Sequence, residues 1–158
     1  MWNPVPDIQQ AWADTKTIGG KVSVILLYLL VSFFILLAAW SILYPYNECL
    51  LAGIGGKDNP MAIATVRVGY GFSLGFFGYV LVGGYRIPNM VMMTVFLLID
   101  MIVWTSVGKE MDTLGCHDDM VEMYIFCAAT VLALILAVMD DKLGDRTSRA
   151  EESLPLNV

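Results

Sequence analysis

The sequence predicts an all-α fold, namely an integral membrane bundle of four transmembrane helices. Hydrophobic residues make up 58% of the 158 residues and charged residues only 15%, whereas soluble domains carry roughly 45–50% and about 25%. A domain of this size leaves about 30% of its unfolded surface exposed, so it cannot hide this apolar excess internally. Four apolar runs are each long enough for the roughly 20 helical residues that cross a bilayer.

The first run, residues 22–43, contains no charge and is followed by the turn-prone sequence Tyr44-Pro45-Tyr46-Asn47. It is longer than the roughly 7–15 apolar residues of a secretory signal and lacks small residues after it, so a retained helix is predicted. Residues 1–21 before it form a polar N-terminal tail.

The other three runs, residues 66–84, 90–107 and 121–139, contain Arg67, Asp100 and Glu122. They are too long and too uniformly apolar for barrel strands, and helices satisfy every backbone group in lipid. Residues 140–158 form a charged C-terminal tail, so residues 22–139 are the predicted transmembrane domain.

Lysine and arginine residues predict the orientation, because cytoplasmic loops carry their excess. The two tails and the tight connection between the second and third helices hold six of them, against two or three in the other loops. Both termini are therefore predicted to be cytoplasmic, in an unidentified membrane. Aromatic residues near the predicted helix ends match an interfacial belt: Trp40, Tyr44, Tyr46, Tyr85, Trp104 and Tyr124.

Asp100 lies well inside the third helix, where a carboxylate costs about 2.5–3.5 kcal/mol on insertion scales. Arg67 enters the second helix from the same side of the membrane, so an intramembrane ion pair between the two helices is predicted. A proton or cation pathway and a contact with another subunit or a lipid headgroup are the alternatives.

Three glycines, Gly71, Gly75 and Gly78, share one face of the second helix with Arg67. Small residues at this spacing let another helix backbone approach closely, which is the main source of adhesion in lipid. A helix-packing face is predicted, and a groove for a flat pigment or quinone is the alternative.

Cys49 and Cys116 fall in the two loops on the non-cytoplasmic side, where a disulfide can form. Two reduced thiols are the alternative if those loops face a reducing compartment. The only histidine, His117, stands beside Asp118 and Asp119, but one histidine in a short acidic loop makes neither a metal site nor a catalytic set. No catalytic residue, metal ion or cofactor is therefore predicted.

The segment Leu97-Leu98-Ile99-Asp100-Met101-Ile102-Val103-Trp104, together with Cys49 and Cys116, resembles the acid-bearing third helix and outer-loop cysteines of MARVEL-type tetraspan proteins. The resemblance covers roughly residues 22–139. It implies a non-enzymatic protein that organises membrane domains, vesicle traffic or junctions.

These observations predict a non-enzymatic membrane protein that acts through helix–helix packing, as a membrane organiser or an accessory subunit of a larger complex. Its partners would be membrane lipids and other membrane subunits or further copies of itself. A net charge of −6 disfavours nucleic acid. The alternatives are a small oligomeric transporter or channel using Asp100 and Arg67, and a cofactor-bearing subunit of an electron-transfer or light-harvesting assembly.

Overall fold

The computed structural model describes the backbone of residues 4–47, 49, 51, 56, 58–106, 113 and 117–152. Side chains are described for the residues of this set that lie between 8 and 143, with the exception of 117–120. The described part of the chain contains no strand, which confirms the all-α prediction. Its helices are α1 (Pro4–Asp14), α2 (Ile18–Leu43), α3 (Pro60–Gly83), α4 (Ile87–Ser106) and α5 (His117–Glu152).

Four helices are long and apolar enough to cross a membrane: α2, α3, α4 and residues Val121–Leu143 of α5. Helices α2 and α3 begin several residues before the predicted apolar runs, because polar caps rather than hydropathy set their first turns. Thr17 caps α2 by accepting a hydrogen bond from the Gly20 amide at 2.9 Å. Asn59 caps α3 in the same way with the Met61 amide at 3.0 Å, and Pro60 occupies the first turn, where it is tolerated.

Helix α1 lies within the segment assigned to the N-terminal tail. Ile8 and Ala11 pack against Val24 and Tyr28 of α2, so an apolar face of α1 is anchored to the bundle. The C-terminal tail likewise begins as a continuation of α5, which runs to Glu152. Hydropathy does not reveal either extension, because neither is apolar enough to span a membrane.

The four long helices form a ring in which α2 packs against α3 and α5, and α5 packs against α4. The contact between α3 and α4 is much the smallest of the four. One end of the ring carries Ile18, Gly83, Ile87 and Leu143 and is called the tail end. The opposite end, called the loop end, carries the residues that flank the two longer connections.

The tail end is closed by polar contacts between α2 and α5. The carboxylate of Asp140 accepts hydrogen bonds from the Thr17 amide at 2.8 Å and from the Thr17 hydroxyl at 2.6 Å. Ser23 donates a hydrogen bond to the carbonyl of Ala133 at 2.6 Å. These bonds satisfy groups at the start of α2 that have no partner within that helix.

The α3–α4 hairpin turns at Gly84, whose φ of +71° suits glycine. The Asn89 amide donates a hydrogen bond to the Gly84 carbonyl at 3.1 Å. A side chain at Gly83 would clash with Asn89, since an added Cβ would lie 2.6 Å from its amide nitrogen. The turn at the tail end is therefore tightly packed around Gly83 and Asn89.

Candidate functional site

An aromatic layer crosses the bundle, with one ring from each long helix. Phe34 of α2 stacks on Phe77 of α3 with ring centres 4.9 Å apart. Phe34 also contacts Phe126 of α5 at 5.3 Å, and Phe77 contacts Phe96 of α4 at 5.4 Å, both edge to face. Such pairs hold the four helices together through ring contacts of favourable geometry.

A cavity of about 140 Å³ lies between this aromatic layer and the loop end. All four long helices contribute to its walls. Nine of the described lining residues are aromatic, and they include the four rings of the layer together with Trp40 and Trp104. Helix α4 packs mainly against α5 and much less against α3.

Three polar side chains on the cavity wall lack an internal partner. Asp100 of α4 is half-buried and has no hydrogen-bond or ion-pair partner among the described residues. The Ser41 hydroxyl is fully buried, at 0% exposure, and has no hydrogen-bond partner in the part of the chain that the structure describes. Glu122 of α5 also lines the cavity and is exposed. Buried polar groups are nearly always paired, so these groups would suit a polar occupant of the cavity.

The predicted ion pair between Arg67 and Asp100 does not form in the structure. Asp100 faces the cavity, whereas Arg67 is exposed and does not line it. The reason is the helical repeat: Val66 is the buried residue of this turn, and the next position is rotated by about 100°. The two residues that hydropathy makes conspicuous therefore face different surroundings.

Among the described residues, none packs against the glycine face of α3. An ideal Cβ added to Gly71, Gly75 or Gly78 would meet no atom within 4 Å. The bundle contacts of α3 use another side of the helix, through buried residues such as Val66 and Phe77. The predicted packing face is thus available to another molecule, and its packing role remains a prediction.

Among the described cysteines, only Cys127 is a free thiol, and it is buried. It donates a hydrogen bond to the carbonyl of Leu97 at 3.3 Å, which ties α5 to α4. Cys49 lines the cavity and is partnered. Cys116 lies outside the described residues, as do the side chains of His117 and its acidic neighbours, so a disulfide between Cys49 and Cys116 remains a prediction.

Sequence reasoning did not identify Ser41 or the aromatic walls as parts of a site. Ser41 is one hydroxyl in a long apolar run, and Trp40 and Trp104 match an interfacial belt equally well. The available signal was the occurrence of a phenylalanine within every span, but it cannot show that the four rings meet. Only the packing of the helices brings them to one level.

Comparison with protein-family models, curated proteins and solved structures finds no match. The resemblance to MARVEL-type tetraspan proteins therefore remains a prediction from the sequence.

Proposed function

We propose that this chain is an accessory subunit of a larger membrane complex and that α3 docks against a transmembrane helix of another protein. The observation that carries the proposal is the open glycine face of α3. The glycines inside the bundle, such as Gly20 and Gly83, are tightly surrounded, whereas Gly71, Gly75 and Gly78 meet nothing within 4 Å. Small residues facing away from their own bundle suit close approach by a foreign helix.

Large exposed aromatic side chains lie along one edge of this face. Phe72 and Tyr79 of α3 are 75% and 60% exposed. These two large side chains flank the glycines, which leave the adjacent helix surface flat. A partner helix that lies on the glycines would also contact these rings and gain dispersion energy from both.

Arg67 favours a different protein over a second copy of this chain. It is exposed on the same face, about 10 Å along the axis from the start of α3 at 1.5 Å per residue. In a two-fold dimer through this face, each copy presents the same surface, which brings the two cations towards each other. A partner with a carboxylate at this depth would instead pair with Arg67 and remove its cost in lipid.

A substitution at Gly75 tests the proposal. Gly75→Leu fills the groove and should weaken the partner complex at least about tenfold, or 1.4 kcal/mol, without changing the thermal stability of the isolated chain. Gly69→Leu is the matched control, since its Cβ also meets nothing within 4 Å and Gly69 lies on another side of α3. Native mass measurement after mild-detergent extraction gives the bound fraction for each variant.

A photo-crosslinking residue at position 78 identifies what lies on the face. The proposal expects an adduct with a transmembrane segment of another protein that carries an acidic residue, and weaker association of Arg67→Gln. An adduct only with a second copy of this chain would contradict it. So would equal losses of partner in the Gly75→Leu and Gly69→Leu variants.

A further inference from the structure

We infer that the cavity at the loop end binds a small organic cation, namely an alkylammonium group, with Asp100 as its counter-ion. This inference goes beyond the proposed function, because the cavity uses the inner side of α3 and not its glycine face. It assigns a ligand site within the bundle itself.

The charge of the cavity selects a cation. Asp100 and Glu122 line it, and none of the described lining residues is lysine, arginine or histidine. Asp100 is a half-buried carboxylate without a partner among the described residues, which is unfavourable, so a cationic occupant would satisfy it. A bare divalent metal ion fits less well, since calcium takes 6–8 oxygen ligands and the described residues contain no group of three or more metal-ligating side chains.

The aromatic walls select an organic cation over a hydrated inorganic one. A cation within about 6 Å of a ring centre is attracted by the ring face, most strongly by tryptophan. Trp40, Trp104 and the phenylalanine layer all line the cavity and come from all four long helices. The volume of about 140 Å³ is close to the roughly 150 Å³ of a protein cavity that holds benzene, so a trimethylammonium group fits.

Ser41 adds a requirement for a polar atom on the ligand. Its hydroxyl is fully buried, lines the cavity and has no partner. A hydroxyl next to the ammonium group, as in choline, would satisfy it. A purely apolar occupant would leave both Ser41 and Asp100 unpaired, which buried polar groups rarely are.

Choline binding to the purified full-length chain in maltoside micelles tests the inference. Calorimetry gives the affinity, and quenching of Trp40 and Trp104 gives a second readout. Choline should bind at least about tenfold more tightly than 3,3-dimethylbutan-1-ol, which has the same shape without the charge. Equal affinities for the two compounds, or no binding of choline, would overturn the inference.

Matched variants locate the site. Asp100→Asn should weaken choline binding at least about tenfold. Asp58→Asn removes the same charge from an exposed residue at the loop end that does not line the cavity, and should bind as the wild type does. Unchanged affinity in a folded Asp100→Asn variant overturns the inference. If that variant does not fold, Ser41→Ala decides in its place, with weaker choline binding expected.

The ammonium group can come from a free cation or from a phosphatidylcholine headgroup. Short-chain phosphatidylcholine and short-chain phosphatidylglycerol, added as competitors, separate these sources. Displacement of choline by the first lipid alone assigns the site to a headgroup, and displacement by neither assigns it to a free cation; both results support an ammonium site. Displacement by both lipids equally shows that acyl chains fill the cavity and overturns the inference.

Discussion

Alanine at Gly20 should destabilise the bundle by about 2–4 kcal/mol. An ideal Cβ at this position would lie 2.5 Å from Cγ of Asp140 and 2.6 and 2.8 Å from its carboxylate oxygens. Carbon atoms pack at about 3.5–4.0 Å, so the carboxylate has to retreat by about 1 Å. This movement lengthens the two hydrogen bonds that Thr17 donates to Asp140, which measure 2.8 and 2.6 Å.

The expected magnitude comes from these two effects. Overpacking a tight site costs about 1–3 kcal/mol, and a hydrogen bond to a charged group contributes about 1.5–3 kcal/mol. Because the carboxylate can move partway, the two costs do not add fully. Titration of the folded protein in mixed maltoside and dodecyl sulfate micelles, followed by circular dichroism, measures the free energy of unfolding.

Two comparisons isolate the mechanism. Gly75→Ala makes the same substitution where nothing lies within 4 Å, and should leave the free energy of unfolding unchanged or raise it, since alanine favours helix. In a Thr17→Ala background the Gly20→Ala penalty should shrink by at least about 1 kcal/mol, because one of the strained bonds is already absent. A penalty equal to that of Gly75→Ala, or one unaffected by the Thr17 change, would refute the reasoning.

Two further predictions concern the phenol of Tyr85 and the thiols of Cys49 and Cys116. Burial first, and then the carboxylates of Asp140 and Asp141, raise the pKa of Tyr85 above its usual value near 10, so the folded state keeps a proton that the unfolded chain loses. The stabilisation from this group is therefore present below pH 10 and is lost as pH rises through the raised pKa. The free energy of unfolding of Tyr85→Phe should therefore fall less above pH 10 than that of the wild type. An identical fall in the two proteins would contradict this prediction. Peptide mapping without reduction should recover Cys49 linked to Cys116, and alkylation of both cysteines in the unreduced, denatured chain would exclude the bridge.

The fold class followed from composition and run length, because a bilayer imposes a length on every helix that crosses it. The first residues of α2 and α3 did not follow from hydropathy. Thr17 and Asn59 set them through side-chain hydrogen bonds to amides two or three residues ahead, and these residues are polar. Hydropathy thus identifies the membrane-spanning segment of a helix, whereas local hydrogen bonding determines the residue at which the helix begins.

The candidate site was only partly predictable for a related reason. Asp100 is conspicuous from its position alone, but its surroundings depend on the rotation of α4 and on the other three helices. Its expected partner, Arg67, is one position away from the buried Val66 and faces out. Neighbouring residues of a helix point in directions that differ by about 100°. In a run that is apolar on all sides, the sequence pattern does not show which of two neighbours faces the bundle.

The two aspartates at opposite ends of the bundle differ in whether the chain itself satisfies their carboxylates. Asp140 stands where the sequence predicts a solvated tail, yet it is buried, hydrogen-bonded to Thr17 and packed against Gly20. Asp100 has no such partner and shares a cavity with the unpaired hydroxyl of Ser41. Removing the Asp140 carboxylate would therefore cost stability, because its bonds are made within the chain. Removing the Asp100 carboxylate relieves an unpaired group, so stability within the described chain does not account for this carboxylate.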